Sequence, residues 1–177
     1  MVLDRMKWLD IYRQLDRITP LPVDCGKLCE AKCCTEWESG AGINLLPGEE
    51  EIFLEQGWCE LEEVPLELSP FLDTRTYILR CSGKCPRSLR PFQCRTFPLA
   101  PYLEQAGHLK MIFDENGWLI CPLIKLGDMK QLDPRFIAET KSVWGKLADY
   151  KVIWDYIEGN SRKLDSQRNE PWRKLLL

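Results

Sequence analysis

The stretch Cys25-Gly26-Lys27-Leu28-Cys29-Glu30-Ala31-Lys32-Cys33-Cys34 decides how the rest of the chain is read. It holds four of the nine cysteines in the protein. On a regular helix a spacing of four would stack Cys25, Cys29 and Cys33 along one face. Cys25 and Cys33 would then stand about 12 Å apart at the helical rise, whereas the thiolates of one zinc ion converge within about 2.3 Å of it. The segment therefore either coils around a metal or serves a polynuclear cluster or more than one centre. Adjacent Cys33 and Cys34 point in different directions in helix or strand, which favours two uses over one.

Further cysteines follow at Cys81, Cys85, Cys94 and Cys121. Thiolates are preferred ligands of zinc, Cu(I) and iron–sulfur clusters, so the distribution points to metal binding. The alternative is a disulfide framework, and compartment decides between the two. The N-terminus is charged from Asp4 onward and has no signal-peptide apolar region, so a cytoplasmic protein is expected. Thiols stay reduced there, and clustered ones hold metal. Nine is also odd, so full disulfide pairing would strand one thiol.

Composition narrows the function classes. Apolar content of 45% and seven Trp suit a folded globular domain, here expected as a single one over residues 1–177. The formal charge of −3 gives no general attraction to nucleic acid or to an anionic membrane surface. No apolar run approaches the roughly 20 residues that span a bilayer. There is a single His, and no HExxH, P-loop or GxGxxG motif announces an enzyme.

Outward from the cysteines, the expected fold is α+β. A small cysteine-rich core at 25–124, with short strands and a hairpin, is flanked by helices at 4–18 and 134–158. Trp8, Ile11, Tyr12 and Leu15 carry the helical period of the first helix, which Thr19-Pro20-Leu21-Pro22 ends. Pro47 and the acids after it predict a short helix near 48–56. Gly48 to Asp73 contains nine acids and no Lys or Arg. This reads as a solvated face, with a protein-partner surface as the alternative. Cys59 lies in that tract, away from both cysteine groups, and is expected to be the unused ninth thiol.

From Arg75 to Arg95 the charge reverses. Thr76-Tyr77-Ile78-Leu79 reads as a strand leading into Cys81-Ser-Gly-Lys-Cys85, where a glycine in a short turn lets both sulfurs face one ion. Arg90 and Arg95 flank Cys94 with no local acid, and at least one is expected beside the thiolates to offset their charge. His108–Phe113, Asn116-Gly117 and Trp118–Cys121 read as a β-hairpin. Asp133-Pro134 opens the long last helix, with Gly159-Asn160 as its stop.

The string Arg90-Pro91-Phe92-Gln93-Cys94-Arg95-Thr96-Phe97-Pro98 is the least generic in the chain. Together with Cys25-x₃-Cys29-x₃-Cys33-Cys34, Cys81-x₃-Cys85 and Cys121, it resembles the YkgJ-like cysteine-cluster (CxxCxxCC) family. That group is described as a zinc- or iron-chelating domain and includes part of flagellin lysine N-methylases. The resemblance covers 25–124. It departs from the family pattern in having three residues, not two, between the first cysteines, and Lys32 rather than Gly before the pair. By position it implies the ligand set Cys25, Cys29, Cys33, Cys34, Cys81, Cys85, Cys94 and Cys121.

The expected function is a metal-binding protein with thiolate-ligated iron–sulfur or zinc centres in a structural or redox role. The spread of the first motif suits a cluster of several irons better than one ion, which places iron–sulfur slightly ahead of zinc. The alternatives are a flagellin-lysine-methylase-like modifying enzyme, or part of one, and a metal chaperone or regulator working through the 48–73 tract.

Overall fold

The computed structural model describes residues 3–35, 42–81 and 85–169. The chain is α+β, as expected: short helices and two small antiparallel sheets share one apolar core. Helix α1 (Arg5–Gln14) starts where the Asp4 carboxylate accepts the Lys7 N–H at 3.0 Å and buries Trp8, Ile11 and Tyr12. The first sheet has the order β1-β3-β2, from β1 (Ile43–Asn44), β2 (Cys59–Val64) and β3 (Thr76–Cys81). The second is a hairpin of β4 (Leu99–Leu103) and β5 (Leu109–Phe113).

Two expectations for this region are corrected. The partner of β5 is β4, not residues 118–121, and the reversal runs through Gly107, which takes a left-handed φ of 78°. Asn116-Gly117 sits instead in a 3₁₀ turn that Asp114 caps. The helix expected near 48–56 is a single 3₁₀ turn at Glu49–Ile52.

The last helix is two. Asp133 caps α5 (Pro134–Ala148), with Pro134 in its first turn, and α6 (Lys151–Arg168) follows after a break at Asp149–Tyr150. Gly159-Asn160 does not stop α6. Ile153, Ile157 and Ser161 form a buried stripe against β4, where the Ser161 hydroxyl accepts the Leu103 N–H at 2.9 Å. Tertiary packing of that face outweighs the roughly 1 kcal/mol cost of a helical glycine.

Phe92 ties these layers together. It opens helix α3 (Phe92–Thr96) and packs edge-on between Trp8 of α1, at 5.6 Å, and Trp144 of α5, at 4.9 Å. The terminal helices thus share a core with the middle of the chain and are not additions to it. Among the described residues, no helix is long and apolar enough to cross a membrane.

Candidate metal centre

The cysteine segment is not a regular helix. A 3₁₀ turn at Cys25–Lys27 is capped by Asp24, and the chain then turns through Glu30 and Ala31 before α2 (Lys32–Thr35). Glu30 and Ala31 have φ of 55° and 54°, two successive left-handed residues without a glycine. Each costs about 1–2 kcal/mol in an L-residue. The segment coils, so Cys33 comes near enough to Cys25 to feel its charge. Neither the 3₁₀ turn nor α2 buries a residue, so apolar packing of those turns does not offset the strain.

Among the described residues all nine cysteines are reduced thiols. Cys33 and Cys34 sulfurs lie 3.9 Å apart. Thiolates set tetrahedrally at 2.3 Å around one ion would be roughly 3.8 Å apart, so this pair fits a shared metal. As placed, no three Cys, His, Asp or Glu side chains among the described residues stand close enough together to hold an ion. The sulfurs share a neighbourhood without yet closing on one point.

Electrostatics define that neighbourhood. Burial raises the Cys25 thiol, and Cys29 and Cys121 raise it further. Cys121 caps α4 (Pro122–Lys125); its own rise from burial is opposed by the N–H groups of Ile124 and Leu123. On the other side, burial pushes Cys94 up to about 12, and Cys34, Cys85 and Cys81 add to the rise. Cys25, Cys29 and Cys121 therefore form one group, and Cys34, Cys81, Cys85 and Cys94 another. Cys33 senses members of both. The Gly83 turn expected between Cys81 and Cys85 lies outside the described residues.

Arg90 stands among these thiols. Its Nη2 donates to the Cys34 sulfur at 3.4 Å. The hydrogen bond from Cys33 lowers Cys34 to about 6; burial opposes this and Arg90 assists it. Burial works against the Arg90 charge, but Cys34, Cys94 and Cys33 outweigh it and raise its pKa. The expectation of a guanidinium beside the sulfurs is met by Arg90 alone. Arg95 points elsewhere: its Nε donates to the Arg90 carbonyl at 2.7 Å, its Nη2 to the Arg87 carbonyl at 3.0 Å, and it lies 4.3 Å over the Tyr12 ring.

Two residues depart from their expected roles. Cys59 does not lie apart: it is the partner of Cys81 across the β2–β3 ladder, and Cys81 and Cys85 both raise its pKa after burial does. Glu49, expected on a solvated face, is 0% exposed. Its carboxylate accepts from the Tyr12 hydroxyl at 2.5 Å and from the N–H groups of Phe92 at 2.7 Å and Leu46 at 3.0 Å. It thus caps the helix that carries Cys94. Elsewhere in the acidic tract, Glu62 and Glu63 pair with Arg80 and Arg75 across the same ladder.

Compared with known proteins, the chain matches no family model, no curated protein and no solved structure.

Proposed function

We propose that this is a metal-binding protein whose cysteines hold zinc or an iron–sulfur cluster in a structural or redox role. The observation that carries the reading is that cysteines from three separate chain segments, Cys25, Cys33 and Cys34, then Cys85, then Cys94, gather around one half-buried guanidinium, Arg90, which donates to the Cys34 sulfur. Raised thiol pKa values mean that concentrated thiolate charge is costly here without a cation. A divalent metal supplies that cation, and coordination releases the thiol protons. The left-handed turn at Glu30–Ala31 adds support: it is strained, and it brings Cys33 back toward Cys25.

Membership of the YkgJ-like cysteine-cluster family, the ligand set Cys25, Cys29, Cys33, Cys34, Cys81, Cys85, Cys94 and Cys121, and a cytoplasmic location belong to the same proposal. Reduced thiols fit a reducing compartment. Anaerobic purification followed by absorption spectroscopy and elemental analysis tests it. A coloured protein with iron and sulfide, or a colourless one with stoichiometric zinc, supports the reading; protein without bound metal overturns it.

A further inference from the structure

The Leu45 N–H donates to the Tyr77 carbonyl at 2.8 Å, on the β1 side of β3. Backbone groups alternate sides along a strand, so Tyr77, Leu79 and Cys81 all turn theirs toward β1. None of the three then bonds to β2. Cys59 and Cys81, which are partners in the β2–β3 register, are consequently a non-hydrogen-bonded pair. In such pairs the Cα atoms stand about 4.5 Å apart and the side chains project together from one face. Leu61 and Leu79 occupy the next such pair on that face, and Leu79 is fully buried; the two thiols lie at the end of this row where it leaves the core, Cys59 partly buried and Cys81 exposed.

We propose that Cys59 is a metal ligand, presented beside Cys81 by the β2–β3 ladder, and that Cys59, Cys81, Cys85 and Cys94, not yet close enough together to hold an ion, close into one thiolate set when metal binds. This rests on the metal-binding reading above and changes its ligand list. Two thiols on a non-hydrogen-bonded pair can reach the roughly 3.8 Å separation that ligands of one tetrahedral ion require. The rigid ladder orients both without a loop. Cys85 follows four residues after Cys81, and Cys94 is fixed by the Phe92 anchor between Trp8 and Trp144. The mutual influence of Cys59, Cys81 and Cys85, and of Cys94 with the latter two, agrees with this grouping. Cys25, Cys29 and Cys121 influence one another instead. On coordination each thiol gives its proton to solvent.

The test is differential alkylation of the anaerobically purified full chain. The protein is treated with iodoacetamide before and after chelation, each cysteine is followed by mass spectrometry, and metal content is measured in parallel. Cys59 should be protected in the metal-loaded protein and become reactive on chelation together with Cys81. Metal-loaded protein in which Cys81 and Cys85 are protected but Cys59 is alkylated overturns this inference and leaves the metal-binding reading standing. Cys59 that stays unreactive after chelation while Cys81 opens is merely buried, and also overturns it. Protein without metal overturns both. C59S should retain roughly half the metal per chain; unchanged content counts against the assignment. If C59S does not fold, the wild-type alkylation pattern decides.

Discussion

The Arg95 guanidinium donates to the carbonyl oxygen of Arg90, the residue whose own guanidinium reaches the Cys34 sulfur. Two arginines of one short string therefore divide the work. Arg95, 7% exposed, ties the 87–90 turn to Tyr12 and α3, and that turn aims Arg90 at the thiols. The division predicts different phenotypes. R95Q removes two charge-assisted bonds to the part-buried Arg87 and Arg90 carbonyls and should cost about 2–4 kcal/mol of stability, read by urea unfolding. R90Q should unfold within about 1 kcal/mol of wild type. It should, however, weaken metal retention by about 10–100-fold, as residues that support metal ligands do. Competition with a chromogenic chelator measures that loss, and equal retention in R90Q and wild type would refute the role given to Arg90.

Glu49 predicts a pH dependence. Burial lifts its carboxyl from 4.5 to about 7, although the Tyr12 hydroxyl and the Phe92 and Leu46 N–H groups favour the ionised form. Between these values the folded chain keeps a proton that the unfolded chain has released. Stability from this group is therefore fully present below about pH 4.5, falls as pH rises toward 7 and is lost above it. The full change is on the order of 3 kcal/mol. Urea midpoints of wild type and E49Q, compared from pH 5 to 8, isolate the group: the difference between the two proteins should change over this window. A constant offset would show that Glu49 does not titrate there.

Metal removal should act locally. The turns at 25–35 bury no side chain, whereas β3 and α5 contribute Leu79, Phe136, Val143, Trp144 and Leu147 to the core. Chelation should abolish hydrogen-exchange protection at Ala31, Lys32 and Cys34, whose N–H groups bond within the coil. Protection in β3 and α5 should fall by less than tenfold. Equal loss in all three segments would mean that the metal supports the whole core.

What was legible in the chain follows from how local each signal is. Asp133-Pro134 is a helix start read directly from sequence, the apolar period of Trp8, Ile11 and Tyr12 marks the first helix, and both helix starts are where they were expected. The run of α6 through Gly159 depends on packing against β4, which no local pattern carries. Cys59 illustrates the same limit. Its partnership with Cys81 exists only in the β2–β3 register, and a strand written Cys-Glu-Leu-Glu-Glu-Val hides in an acidic tract. Glu49 was masked by its acidic neighbours: Glu49, Glu50 and Glu51 are identical letters, and only the first is fully buried.

Gly117 gives the last prediction. Asn116-Gly117 resembles a hairpin signal, yet no hairpin forms there and the glycine has no left-handed backbone to justify it. It is needed for space. A Cβ at this position would stand 2.5 Å from Ile124 Cδ1 and 2.7 Å from two ring carbons of Phe97. Both neighbours border ligand-bearing elements: Phe97 follows the helix of Cys94, and Ile124 lies in the helix that Cys121 caps. The Gly117 carbonyl also accepts the Cys121 N–H at 2.8 Å, so displacing residue 117 displaces Cys121. G117A should therefore destabilise the fold by about 1–3 kcal/mol through overpacking. It should also speed alkylation of Cys121 in the metal-loaded protein. The control is G57A, where a Cβ meets nothing within 4 Å and the backbone is unstrained. That variant should be neutral, or more stable by up to about 1 kcal/mol, because alanine restricts the unfolded chain. If G117A unfolds at the same urea midpoint as G57A, the contact between Gly117 and Phe97 does not constrain the site.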